Sequence, residues 1–104
     1  MDFSIDLGGM YEGPRYYIDR AQEVEAAGFD AVWFGDHIQP WFHEGGRAPF
    51  AWSWIPAALE QTDAIPIGVW VTPPMYRYHP LVLANAIATI DQLQPGRFLT
   101  GVGT

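Results

Sequence analysis

The residues best suited to acid–base chemistry are Asp36 and His37, which are neighbours in the sequence. A histidine exchanges a proton near neutral pH, and an adjacent carboxylate can orient the imidazole or accept a hydrogen bond from it. Trp41 follows four residues after His37 and could wall an aromatic pocket. Because the pair directly follows an apolar run typical of a buried strand, we interpret it as a catalytic pair beside a cofactor. The alternative is a histidine that only bonds loop carbonyls.

A metal site is the second kind of chemistry to consider around this pair. Asp36, His37, His43 and Glu44 place four oxygen or imidazole ligands within nine positions. Their spacing matches no familiar metal motif, so we expect a solvated loop and no metal. The absence of cysteine excludes disulfides, thiolate nucleophiles and zinc ribbons. Gly101-Val102-Gly103 is a lone G-x-G without a following helix, and it fails as a dinucleotide fingerprint.

An arginine between two tyrosines is a further candidate. Arg77, flanked by Tyr76 and Tyr78, could offer a guanidinium and aromatic faces to an anionic or planar ligand. It could equally clamp loops, and we favour that structural role. The bulky Trp70-Val71 pair shortly before Pro73-Pro74 indicates an irregular backbone at the end of a strand.

The composition is that of a packed, acidic chain. Its 104 residues are 49% hydrophobic and 16% charged, which allows one domain core. A net charge of -7 argues against nucleic acid or an anionic membrane as a partner. All five basic residues are arginines, which fits a high-salt proteome or a coding bias. No apolar run approaches the roughly 18 to 20 residues that span a bilayer, and no basic start of a signal peptide is present, so we expect a cytoplasmic protein.

The elements that must position these residues alternate between strands and helices. Apolar runs predict strands, and prolines and glycines mark helix ends. A long loop over residues 36–50, with two prolines and two glycines, is of the kind that is usually functional. The predicted strands are Phe3–Leu7, Phe29–Phe34, Ile65–Val71 and Phe98–Val102, and the predicted helices are Pro14–Ala27, Trp52–Gln61 (with Ser53 as N-cap and Pro56 in the first turn) and Leu81–Leu93.

This β-α-β-α-β-α-β order predicts a parallel α/β sheet with right-handed crossovers. A small doubly wound sheet and the N-terminal half of a (β/α)8 TIM barrel both fit, although a complete barrel needs about 250 residues. Because Gly101–Thr104 ends the chain directly after a buried strand, we expect a single partial domain, the first four strands and three helices of a barrel. In either architecture, ligands lie beyond the carboxyl ends of the strands.

A series of ordered motifs runs through nearly the whole chain. They are Ala27-Gly28-Phe29-Asp30, Val32-Trp33, Asp36-His37-Ile38-Gln39-Pro40-Trp41, Gly68–Pro74, Arg77-Tyr78-His79-Pro80, Ala88-Thr89-Ile90-Asp91 and Pro95–Gly103. Together they resemble the N-terminal part of the luciferase-like monooxygenase superfamily. Within it, they are most similar to the branch that uses the deazaflavin coenzyme F420, which includes F420-dependent glucose-6-phosphate and secondary-alcohol dehydrogenases.

The resemblance implies an oxidoreductase that passes a hydride between an organic substrate and C5 of F420. It gives Asp36 and His37 cofactor-contacting and acid–base roles, and it places Trp41 beside the reacting carbon. It also implies a non-prolyl cis peptide at Trp70-Val71, and puts Trp70, Val71 and Thr72 against the cofactor. A small-molecule substrate and a homodimer of the full-length form are implied as well.

Two departures and three alternatives accompany this prediction. Aligned on Pro14, Met10 stands where these dehydrogenases carry a glutamate, and the chain stops before the Gly-Glu-x-x-Asn segment that follows Gly-Thr in the family. An FMN-dependent monooxygenase and a methylene-tetrahydromethanopterin reductase of the same superfamily are the enzyme alternatives. The non-enzymatic alternative is an inactive cofactor-binding or half-barrel fragment that needs a partner.

Overall fold

The computed structural model describes residues 1–104 as a four-stranded parallel sheet covered by helices. The predicted alternation of strands and helices is confirmed, with one added helical turn after the third strand. None of the helices combines the length and the apolar composition that a membrane span requires. The elements are β1 (Ser4–Asp6), α1 (Pro14–Ala26), β2 (Ala31–Phe34), α2 (Ala51–Glu60), β3 (Ile67–Thr72), α3 (Pro74–Arg77), α4 (Pro80–Leu93) and β4 (Phe98–Val102).

The strand order distinguishes the two architectures that the sequence left open. The strands lie side by side as β1-β2-β3-β4, all parallel and in chain order. A doubly wound sheet reverses direction at a switch point and carries helices on both faces. Here α1, α2 and α4 all contribute to one core cluster on one face, so the sheet winds in a single direction, as a barrel does.

The two faces of the sheet have different surroundings because side chains alternate along a strand. Val32, Phe34, Ile67 and Val69 are completely buried against the helices. The opposite face, which would be the barrel interior, carries Trp33 and Trp70 in edge-to-face contact at 5.5 Å. With Ser4 and Asp6 these indoles line an open cavity of about 380 Å³.

Helix α2 departs from the prediction at its start. It begins at Ala51 with Phe50 as N-cap, so the predicted Ser53 cap is wrong and Pro56 lies in the second turn. A proline there removes the N–H that would bond the carbonyl four residues earlier. The buried side chains Trp54 and Leu59 hold the helix against the core in spite of this loss.

The amino-terminal edge of the sheet is fixed by two charged side chains. The Glu25 carboxylate accepts hydrogen bonds from the backbone N–H groups of Asp63, Ala64 and Ile65 at 2.9, 2.7 and 2.7 Å. Burial alone would raise the pKa of Glu25, but these three donors and the charge of Arg97 lower it below its ordinary value. Arg97 donates to the carbonyls of Leu59, Thr62 and Ile65. The connection from α2 to β3 is therefore bonded from both sides.

Candidate functional site

The carboxyl end of β2 leads directly into the predicted catalytic pair. The ladder between β1 and β2 extends past the strands, where the Gly35 N–H donates to the Gly8 carbonyl. A Cβ on Gly9 would lie 3.0 Å from the Gly35 carbonyl oxygen, so the close approach of these two segments needs a glycine. Asp36 and His37 follow at this edge, and their side chains have different environments.

Asp36 is fully buried, with its side chain 0% exposed. Its Oδ2 accepts hydrogen bonds from Trp52 Nε1 at 3.1 Å and Thr72 Oγ1 at 2.9 Å. The Tyr78 hydroxyl lies 3.1 Å from Oδ1 and 3.2 Å from Oδ2. Arg77 Nη1 completes the set at 3.0 Å from Oδ1, and it also donates to the Asp36 carbonyl. The carboxylate thus joins α2, the end of β3 and the segment after α3.

Arg77 and Tyr78 both bond the Asp36 carboxylate, and they lie in the connection between β3 and α4. Arg77 is only 13% exposed, and its guanidinium lies over the Tyr78 ring at 5.2 Å. Burial and the negative charge of Asp36 raise the pKa of Tyr78 to about 12, so its hydroxyl remains a donor at neutral pH. The sequence left two roles open for Arg77, which were to bind a ligand or to clamp loops together. The structure shows the second role.

His37 lies on the solvent side of the same edge and is half-buried. Its imidazole folds back over Gly35, where any Cβ would collide with the ring, and it meets Trp41 edge to face at 5.9 Å. Burial lowers the pKa of His37 below 6.5, with Arg77 adding to the effect and Asp36 opposing it. The imidazole is therefore neutral at pH 7 and able to accept a proton. No hydrogen bond joins it to the Asp36 carboxylate, which is already bonded to other groups.

The end of β3 forms the second wall of the site. The peptide bond between Trp70 and Val71 is cis, as the family resemblance implies. The ladder to β4 is interrupted between Val69 and Thr72 at this point. Trp70 is 58% exposed, and Val71 packs on Gly103, where a Cβ would come within 2.6 Å of Cγ2.

The predicted site residues therefore form two layers. His37, Trp41, Trp70 and Val71 present accessible surface at the carboxyl edge of the sheet. Asp36 and Thr72 lie behind it and bond to each other. A cavity of about 410 Å³ adjoins His37 and is lined by Ile38, Ala48, Phe50 and residues 76–78.

Trp52 belongs to the same layer as Asp36 and Thr72, which the sequence patterns did not indicate. Its indole N–H is bonded to a carboxylate 16 residues earlier in the chain, and no local pattern signals such a contact. His43 and Glu44, the other two candidate metal ligands, are exposed on the loop. No group of three or more histidine or carboxylate side chains is arranged to hold a metal ion.

The family assignment follows from comparison with known proteins. Residues 2–104 match the profile of the luciferase-like monooxygenase family. The chain belongs to this family. The predicted resemblance is confirmed, and with it the α/β fold, in which the four strands correspond to part of a luciferase-like TIM barrel.

Similar sequences in this family are named as F420-dependent enzymes. The chain is 47% identical over 92 residues to the F420-dependent glucose-6-phosphate dehydrogenase of Intrasporangium calvum, and 48% identical over 92 residues to that of Kribbella flavida. Each alignment covers 88% of this chain and 28% of the relative. The chain thus spans less than a third of the length of the relatives that it matches.

Solved structures of luciferase-like enzymes superpose on nearly the whole chain. An F420-dependent secondary alcohol dehydrogenase in complex with an F420-acetone adduct gives a TM-score of 0.90 at 35% identity, covering 99% of this chain and 32% of that one. The coenzyme F420-dependent tetrahydromethanopterin reductase from Methanopyrus kandleri gives 0.81 at 28% identity, covering 98% and 26%.

Proposed function

We propose that the protein is an oxidoreductase that transfers a hydride between a small organic substrate and coenzyme F420. The observation that carries the proposal is the match, at a TM-score of 0.90 over 99% of the chain, to an alcohol dehydrogenase solved with an F420-acetone adduct. Sequence relatives named as F420-dependent dehydrogenases support the same cofactor.

The accessible layer of the site fits a flat ring system. The exposed Trp70 and Val71 at the end of β3 offer an apolar surface, and Gly103 beside Val71 carries no side chain that would cover it. These residues would hold one face of the deazaflavin, and Thr72, which is completely buried, would support this wall from behind. When bound, F420 supplies the ring carbon that accepts or returns the hydride.

His37 is proposed to handle the proton of the reaction. Oxidation of an alcohol to a carbonyl releases the hydroxyl proton, and a neutral imidazole accepts it. The lowered pKa of His37 keeps the ring in this accepting form at pH 7. Trp41, in edge contact with the imidazole, would flank the reacting carbon and exclude water.

The partner and location are part of the same proposal. The substrate is a small molecule held at the carboxyl edge, and the location is the cytoplasm, as expected for such a dehydrogenase. A homodimer is part of the proposal, and α4 offers exposed apolar side chains for such a contact, Leu81, Val82 and Leu93. Burying such side chains between two copies would remove apolar area from water.

Titration of the purified chain with F420 tests the proposal, with FMN titrated in parallel. We expect saturable quenching of F420 fluorescence and a weaker affinity in Trp41→Ala. Phe42→Ala is the matched control, because Phe42 is an equally exposed aromatic residue next to Trp41. Binding of FMN in place of F420 would favour a flavin monooxygenase, and binding of neither would remove the cofactor site from this chain.

A further inference from the structure

The carboxylate of Asp36 has no bonding capacity left for a ligand. A carboxylate offers about four lone-pair sites. Four side chains occupy them here: Trp52 and Thr72 on Oδ2, Arg77 on Oδ1, and Tyr78 shared between both oxygens. The side chain is 0% exposed, so a cofactor or substrate atom cannot reach it without displacing one of these donors.

The chemistry of the donors fixes the direction of these bonds. An indole N–H and a guanidinium can only donate, so both carboxylate oxygens must act as acceptors. Removing the Asp36 carboxylate would leave Arg77 with only the Asp36 backbone carbonyl and would leave the Trp52 indole N–H without its acceptor, which is costly for largely buried groups. The arrangement is a closed polar network and differs from a ligand site, which keeps an open position.

We infer that Asp36 is a positioning residue, and that Trp52, Thr72, Arg77 and Tyr78 position the His37 loop through it. The Asp36 carboxylate ties the first residues of this loop to α2, to β3 and to the segment after α3. His37 is the next residue, and its ring rests on Gly35, just before Asp36. The network therefore sets where the imidazole lies without contacting substrate or cofactor.

This inference replaces the cofactor contact that the resemblance gives to Asp36. It also gives a role to Trp52 and Tyr78, which have none in the proposed hydride transfer. The part of the test that uses F420 rests on the proposed function, whereas the part on the free chain does not.

Nuclear magnetic resonance of the free chain tests the network. The five tryptophans give five indole N–H signals, and loss of one signal in Trp52→Phe assigns that of Trp52. We expect the Trp52 indole to exchange with solvent at least about tenfold more slowly than that of the exposed Trp41. Asp36→Ala removes both acceptor oxygens, and in this variant the protection should be lost. Exchange as fast as that of Trp41 in the wild-type chain would overturn the inference.

The positioning of His37 is read from its own ring signals. Tyr78→Phe and Thr72→Val each remove one hydroxyl from Asp36, and they should weaken the contact between the His37 ring protons and the Gly35 Hα protons. Tyr76→Phe is the matched control, because Tyr76 is 83% exposed and makes no hydrogen bond to Asp36. If Tyr78→Phe leaves the His37 signals as unchanged as Tyr76→Phe does, the positioning role is refuted.

Addition of F420 separates this inference from the proposed function. We expect the indole signals of Trp41 and Trp70 to shift and that of Trp52 to stay in place. A shift of Trp52 as large as theirs would mean that the cofactor reaches Asp36, which overturns the inference. If none of these signals moves, the cofactor proposal fails for this chain, while the exchange and ring data still decide the role of Asp36.

Discussion

Replacing Glu25 with glutamine tests how the amino-terminal edge of the sheet is held. In the wild-type chain Oε1 accepts from Ala64 and Ile65, and Oε2 accepts from Asp63. Glutamine keeps one carbonyl oxygen for the first two donors and turns an amide N–H₂ toward the third. One hydrogen bond to a charged acceptor is worth about 1.5 to 3 kcal/mol when buried. Because Glu25 is only half-buried, we expect a loss of about 1 to 2 kcal/mol.

Urea unfolding at pH 7 measures this change as a lower midpoint, by about 0.5 to 1 M. Glu23→Gln is the control, because Glu23 lies on the same helix but forms only an exposed ion pair with Arg20. An exposed pair of this kind contributes about 0 to 1 kcal/mol. A Glu25→Gln chain that unfolds at the same urea concentration as Glu23→Gln would refute the reasoning.

The stability difference between the wild-type chain and Glu25→Gln should depend on pH in a definite direction. The folded-state pKa of Glu25 lies below its ordinary value of 4.5, so its ionised form is favoured by folding. The stabilisation is complete above the unfolded pKa and is lost as the pH falls through the folded pKa. The difference between the wild-type chain and Glu25→Gln should therefore shrink below about pH 4.5. A difference that grows on acidification would contradict the lowered pKa.

Three further changes are expected to have measurable effects. Gly68→Ala should lower stability by about 1 to 3 kcal/mol, because the new Cβ would collide with the Trp33 ring. The loss should be seen as a reduced melting temperature. An unchanged melting temperature would show that the indole moves freely. Tyr78→Phe should lower the free energy of unfolding by about 1.5 to 3 kcal/mol, and Tyr76→Phe should lower it by less than about 0.5 kcal/mol, because only Tyr78 bonds a buried carboxylate. Equal effects of the two substitutions in urea unfolding would argue against the network. His37→Ala should lower F420-dependent turnover by about 10² to 10⁴ with little change in F420 affinity, and unchanged turnover would remove His37 from the mechanism. With wild-type protein, the decline of kcat/KM for alcohol oxidation on acidification should begin at a lower pH than a free imidazole would give, because burial lowers the pKa of His37; a decline that begins at a higher pH would contradict this role.

Much of the fold could be predicted from local sequence patterns. The apolar run before Gly35 predicts a buried strand, and Pro80 and Pro95 bracket the long helix that became α4. The boundaries shifted where tertiary contacts compete with local patterns. Phe29 lies outside β2, and its backbone N–H donates to the Val24 carbonyl of α1 in place of a neighbouring strand.

The start of α2 shows why local rules fail at some helix ends. Ser53 is a good N-cap by residue type, yet the helix begins at Ala51 with no side-chain cap at Phe50. Beginning there places Ala51 in the core and lets Trp52 reach Asp36. Both gains depend on residues far away in the chain, so a local pattern cannot contain them.

The position of the candidate site could be predicted from the sequence, whereas the hydrogen bonds within it could not. Ligand sites lie at the carboxyl ends of parallel strands, which was enough to select His37 and the end of β3. The hydrogen-bond partners of Asp36 could not be predicted, because adjacent carboxylate and imidazole side chains suggest a hydrogen bond to each other. In the folded chain these neighbours diverge, and the carboxylate meets Trp52, Thr72 and Tyr78.

Equilibrium dialysis of the purified protein against F420, with FMN as competitor, tests whether F420 is its cofactor. We expect F420 to bind saturably, with one site per chain, and excess FMN not to displace it. Displacement of F420 by equimolar FMN, or retention of FMN alone, would contradict the assignment to F420 chemistry.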